Sequence, residues 1–157
     1  MNDASLALAA RIVLAAALAV SAIAKVRTRA GVRDQIGELV GERLAPVIGP
    51  GLPLVELAVA IALVAWWSPV PGVVALALLA AFTVVLVRAQ ARHVPCLCFG
   101  AARVDAAVGP ASVVRNGVLA GLAVLAIGAP SGARAGAAIA VTAVLGAITA
   151  VVVRASA

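Results

Sequence analysis

Residues 4–24, ASLALAARIVLAAALAVSAIA, decide the fold. This run of 21 residues carries one internal charge, Arg11. A helix needs about 20 apolar residues to cross a hydrocarbon core of about 30 Å. A cleaved leader competes for the same stretch. Arg11 would then close a short basic region, Ile12–Val20 would be the apolar run, and Ala22-Ile23-Ala24 would be a small-residue cleavage site. The charge nearest Met1 is the acidic Asp3, which favours a retained span.

Similar runs recur, and spans are expected at about 52–67, 73–87, 110–129 and 136–153. Of the 157 residues, 65% are hydrophobic and 11% charged, with a mean hydropathy of +1.20. A water-soluble domain is nearer half apolar and about a quarter charged. No alternating pattern suits a barrel, so backbone polar groups in lipid must be satisfied within helices. The expected fold is therefore all-α. It is a polytopic membrane helix bundle in one transmembrane domain over 1–157, with a four-helix core and a fifth C-terminal span.

Between the first two spans, residues 25–43 turn polar. Val32, Ile36, Leu39, Val40 and Leu44 recur there at helical spacing, which predicts a short amphipathic helix lying in the interface. Pro46, Gly49, Pro50, Gly51 and Pro53 then read as a break, with Pro53 opening the next helix. Trp66 and Trp67 fit an interfacial aromatic anchor, followed by a turn at residues 68–72. Gly117 and Gly121 form a small-xxx-small pair suited to close helix approach.

The net charge of +6 does not describe a nucleic-acid surface, because no basic run has interleaved aromatics. The cations fall between apolar segments, where they set topology against the lipid bilayer. With five spans, Lys25, Arg27, Arg29, Arg33, Arg43, Arg88, Arg92, Arg103 and Arg154 share one face, and Arg134 stands on the other. The positive-inside rule turns the richer face toward the cytoplasm.

His93-Val94-Pro95-Cys96-Leu97-Cys98-Phe99-Gly100 holds both cysteines and the one histidine of the chain. A bridge between Cys96 and Cys98 would close a small, strained ring, and strained bridges are readily reduced. Other readings stay open: two inert buried cysteines, a structural bridge, or a metal site with His93, which lacks a fourth soft ligand. His93 beside a reactive thiol would serve as a proton shuttle.

Alternating topology brings Lys25, Glu56, Arg115, Asn116 and the cysteine segment to one membrane face, whichever way the chain is oriented. Glu56 and Arg115 are expected about 5–8 Å below their helix starts. An unpaired charge at that depth costs roughly 2.5–3.5 kcal/mol on insertion scales, so Glu56 should pair with Lys25 or Arg115. Arg11 lies about 21 Å from Lys25 along its helix and belongs to the opposite half of the bundle. The ion pair either fixes helix register alone, or its cations lower the pKa of a neighbouring thiol. The positive end of the helix dipole at the start of the fourth span would assist.

Taken together, Arg11, the Ser21-Ala22-Ile23-Ala24-Lys25 close of the first span, Glu56, Arg88, Cys96-Leu97-Cys98-Phe99-Gly100 and Arg115-Asn116 carry a resemblance. Over about residues 5–130 the chain resembles the methylamine utilisation MauE family, within the broader DoxX-like membrane proteins. The resemblance implies a multi-pass protein of the bacterial inner membrane that assists disulfide formation or maturation in a partner. A small subunit of a quinoprotein dehydrogenase is one such client, and a thioredoxin-like protein a common co-worker. Leu97 departs from the small or polar residue that would leave the loop between the cysteines more open.

The expected function is a membrane thiol–disulfide relay, with Cys96 and Cys98 as the redox pair, Arg115 and Lys25 in support and Glu56 as counter-ion. A bound quinone as electron acceptor stays open, though no aromatic pocket is visible in the sequence. A small proton- or cation-coupled transporter using Glu56, and a non-catalytic assembly subunit, are the alternatives.

Overall fold

The computed structural model describes residues 3–91 and 110–127, all of whose regular structure is helical. The elements are α1 (Asp3–Arg27), α2 (Arg29–Val40), α3 (Ala45–Ala65), α4 (Val70–Ala91) and α5 (Pro110–Ala126). Helices α1, α3 and α4 are each long and apolar enough to cross a membrane, and α5 is a shorter apolar helix. The chain is a membrane helix bundle. The expected span at 136–153 lies outside the described residues.

Helix α1 organises the rest because it packs on both α3 and α5. One stripe of it is buried, running Arg11, Leu14, Leu18, Ser21 and Lys25 at alternating steps of three and four residues. That is the spacing at which side chains stack on one helix face. Leu14 and Leu18 meet Val59 and Leu63 of α3, Leu79 and Phe82 of α4, and Leu119 and Ala123 of α5 in the central core. Cleavage at Ala24 would remove the helix that fills this core. Ile12, Val20, Ile61, Val64 and Val73 point outward and are at least half exposed, which suits a lipid surface and not water.

Arg11 is 3% exposed and serves the end of the bundle opposite Lys25. Its guanidinium donates to the carbonyls of Leu63 (2.9 Å), Ala126 (3.0 Å), Trp66 (2.7 Å) and Ser68 (3.0 Å). Leu63 and Ala126 belong to the last turns of α3 and α5, where carbonyls have no partner within the helix. A cation there also meets the negative ends of both helix dipoles. The Trp67 ring lies 5.1 Å from the guanidinium carbon, and both tryptophans are otherwise exposed, as an interfacial anchor requires.

Two expected breaks are absent. Helix α3 begins at Ala45 and continues through Pro50 and Pro53, where a break at residues 46–53 is expected. Pro46 occupies the first turn, where an amide donor is unused in any case. The two interior prolines each forfeit one hydrogen bond, a loss that neighbouring helices make tolerable in membrane segments. Likewise α4 starts at Val70, inside the expected 68–72 turn, with the Ser68 hydroxyl accepting the Val70 amide at 3.2 Å. As a result Glu56 stands 11 residues into its helix, about 16 Å along it, and not at the expected 5–8 Å.

Helix α2 is amphipathic, as its spacing predicts, and buries Val32, Gln35, Ile36 and Leu39. Val40 and Leu44 are exposed instead, because Gly41 ends the helix at a positive φ of 123°. Leu39 packs with Leu86 and Ala89 of α4 and Val113 of α5. Hence α2, the end of α4 and the start of α5 meet at one end of the bundle.

Gly72 sets how closely α4 approaches the end of α5. A Cβ there would stand 2.9 Å from the Ile127 side chain and 3.1 Å from its backbone nitrogen, whereas one at Gly51 would meet nothing within 4 Å. Gly72→Ala should therefore destabilise the protein by about 1–3 kcal/mol through overpacking. Gly51→Ala should be neutral or stabilising by up to about 1 kcal/mol, from helix propensity alone. Thermal unfolding in detergent compares the two. Arg11→Lys keeps the charge but cannot span four carbonyls, so the same assay should show a loss of at least about 2 kcal/mol.

Candidate functional site

The opposite end of the bundle is built around a buried ion pair. Lys25 Nζ lies 2.5 Å from Glu56 Oε1, with side-chain exposures of 3% and 0%. Ser21, one turn before Lys25 on the same face, ties the pair together. Its hydroxyl accepts from Lys25 Nζ at 2.6 Å and donates to Glu56 Oε1 at 3.0 Å. The Phe82 ring covers the ammonium at 4.8 Å from its centroid, a favourable cation–π arrangement in a desolvated site. Glu56 Oε2 is buried and accepts no hydrogen bond from the described residues.

Asn116 locks α5 to α4 beside this pair. Its amide donates to the Leu79 carbonyl at 2.9 Å and to the Thr83 hydroxyl at 2.6 Å. Thr83 in turn donates to the Leu79 carbonyl at 2.8 Å, and Asn116 Oδ1 has no partner among the described residues. Residues 79, 82 and 83 lie within about one turn of α4, so the Asn116 contacts and the Phe82 cover of Lys25 are side by side. Arg115 is exposed, and its charge acts on Lys25.

Of the two partners expected for Glu56, the structure selects Lys25. Asn116 faces α4, and Arg115 stands near enough for its charge to reach Lys25. His93, Cys96 and Cys98 lie outside the described residues. The helix ends that flank them, Ala91 and Pro110, belong to the end of the bundle where Leu39, Leu86, Ala89 and Val113 pack.

Several members of the site are given no role by sequence reading. Ser21 stands four residues before Lys25, a spacing that offers a hydroxyl on the same helix face. Thr83 is a polar position within an otherwise apolar stripe, which is a usable signal. Phe82 gives none, because a lone aromatic in a span is ordinary core.

A helix bundle that buries a lysine–glutamate pair between two spans is an integral membrane protein with a polar interior site. Intramembrane charges of this kind are expensive and mark function more often than scaffold. The chain belongs to the MauE family, whose model, described as methylamine utilisation protein MauE, matches residues 3–129. No curated protein and no solved structure matches the chain.

The pair should behave as a unit. Removing one partner strands the other charge, so Lys25→Met or Glu56→Leu alone should cost about 3–5 kcal/mol. The double variant, with both charges gone, should recover most of that loss. Thermal unfolding of the two single variants and the double variant closes the cycle. Additive losses would show that the two side chains are not coupled.

Proposed function

We propose that this MauE-family protein is a thiol–disulfide relay of the bacterial inner membrane, working through Cys96 and Cys98. The observation that carries the reading is the buried Lys25–Glu56–Ser21 cluster, with Arg115 close by, in the half of the bundle toward which α4 ends and α5 begins. The cysteine segment joins those two helices.

The chemistry is exchange. A thiolate of the client attacks the Cys96–Cys98 disulfide, giving a mixed disulfide and one free relay thiol. A second client thiolate resolves it, so the client gains a disulfide and the relay becomes a dithiol. A thioredoxin-like partner in its disulfide form then reoxidises the pair by the same two steps. Lys25 is already neutralised by Glu56, so Arg115 is the cation assigned to the relay thiolate, with the α5 dipole in support. Asn116 holds α5, and with it Arg115, against α4. His93 is assigned to proton transfer at the leaving thiol. The excess of Lys and Arg on this face turns it toward the cytoplasm.

One observation favours a second reading. Glu56 Oε2, buried and without a hydrogen-bond partner among the described residues, is an acceptor that a coupling proton or cation could occupy, as a small transporter would need. Such a protein would keep its activity after Cys96→Ser and Cys98→Ser, whereas a relay would lose it.

Gel-shift alkylation across a glutathione series should give a reversible two-electron transition for the cysteine pair between about −120 and −300 mV. Arg115→Gln should slow alkylation of the reactive thiol at neutral pH, about tenfold for each unit its pKa rises, and Arg115→Lys should restore it. Cysteines that remain reduced under oxidising buffers would overturn the relay. A membrane-impermeant thiol reagent that labels Cys96 or Cys98 in intact cells would overturn the inward orientation.

A further inference from the structure

A cavity of ≈ 220 Å³ lies under α2, walled chiefly by hydrocarbon from Val32 and Ile36 of α2, Leu52 of α3, and Leu78 and Val85 of α4. Leu78 to Val85 runs about 10 Å along α4. Val40 and Ala81 also line the cavity and are exposed, and Ala81 stands midway along a membrane-crossing helix. The mouth therefore opens toward the layer that lipid acyl chains occupy.

The charges of α2 select among lipids. Helix α1 crosses the membrane and ends at Arg27, so α2, starting at Arg29, begins at the level of the headgroups. Arg29, Arg33 and Val40 follow at steps of four and seven residues, which puts them on one flank of α2. Both arginines are exposed. Asp34 and Glu38, four residues apart, fall on the other flank. A Cβ at Gly49 would lie 3.8 Å from both Cα and Cβ of Arg33, so Arg33 rests on the first turns of α3, next to Ile48 of the cavity wall. The cationic flank and the mouth at Val40 thus share one side. Two guanidiniums there offer charge and forked N–H donors to phosphate oxygens. A zwitterionic headgroup would bring its own cation against them; an anionic one would not.

We propose that the corner between α2, α3 and α4 binds an anionic phospholipid, with its phosphate on Arg29 and Arg33 and one acyl chain entering the cavity.

The test is photolabelling of the full chain in phosphatidylcholine nanodiscs at about 0.15 M salt, where long-range attraction is screened. The probes are phosphatidylglycerol and phosphatidylcholine with the same diazirine-bearing acyl chain, mapped by peptide mass spectrometry. The phosphatidylglycerol probe should label residues 32–40 and 78–85 at least fivefold more than its phosphatidylcholine counterpart, and unlabelled phosphatidylglycerol should compete. Arg29→Gln with Arg33→Gln, both at exposed positions, should reduce that labelling at least fivefold, and Leu78→Trp should reduce it by filling the cavity. Equal labelling by the two probes, or full labelling without the two arginines, would overturn the proposal. So would labelling spread evenly over outward residues such as Ile61 and Val73, which marks a lipid drawn to the surface without a seat. Should Leu78→Trp fail to fold, the arginine variant and the labelling map decide.

Discussion

A charge or a backbone carbonyl that enters hydrocarbon must find its partner inside the protein, and α1 supplies the partner at both ends of this bundle. Arg11 closes the carbonyls at the ends of α3 and α5, and about 21 Å away on the same stripe Lys25 meets Glu56. Leu14 and Leu18, fully buried between them, fill the centre. The register of α1 against α3 is thus held at two points by polar contacts that have no alternative partner in lipid. Sliding α1 by one residue would turn both charges off their shared face.

That arrangement also explains what the interior prolines and glycines are doing. Helix α3 runs on through Pro50 and Pro53, and beyond them it is tied to α1 twice, at Glu56 by the ion pair and at Leu63 and Trp66 by the Arg11 contacts. Gly72 lets the start of α4 come against the last turn of α5, where Ile127 packs. Close approach at that point brings Ala126 within reach of Arg11. Polar satisfaction and steric fit at this end are one condition, met by different residues.

At the other end the polar groups are deliberately incomplete. Among the described residues, Glu56 and Asn116 each keep one buried acceptor atom without a partner, and α2 roofs a void that they do not fill. Fully packed membrane bundles have little reason to tolerate either. Among the described residues the two ends therefore differ: every guanidinium nitrogen of Arg11 has a carbonyl partner, whereas Glu56 and Asn116 each present an acceptor not yet used.

Much of this was legible in the chain alone. Composition and run length required membrane helices, because nothing else satisfies a backbone in lipid. The apolar spacing of Val32, Ile36 and Leu39 predicted α2, and the alternation of spans placed Lys25, Glu56, Arg115 and Asn116 at one end. The start of α3 was not legible, since proline is a local stop signal that tertiary packing can override. Nor was the choice of Lys25 over Arg115 as partner to Glu56, which depends on which face of α1 turns toward α3. Arg11 could be assigned to the far end from spacing, but its four carbonyl partners exist only once three helices are packed. One-dimensional pattern determines which segments are buried; where two buried polar groups meet is decided by helix rotation and depth, and only the folded bundle sets those.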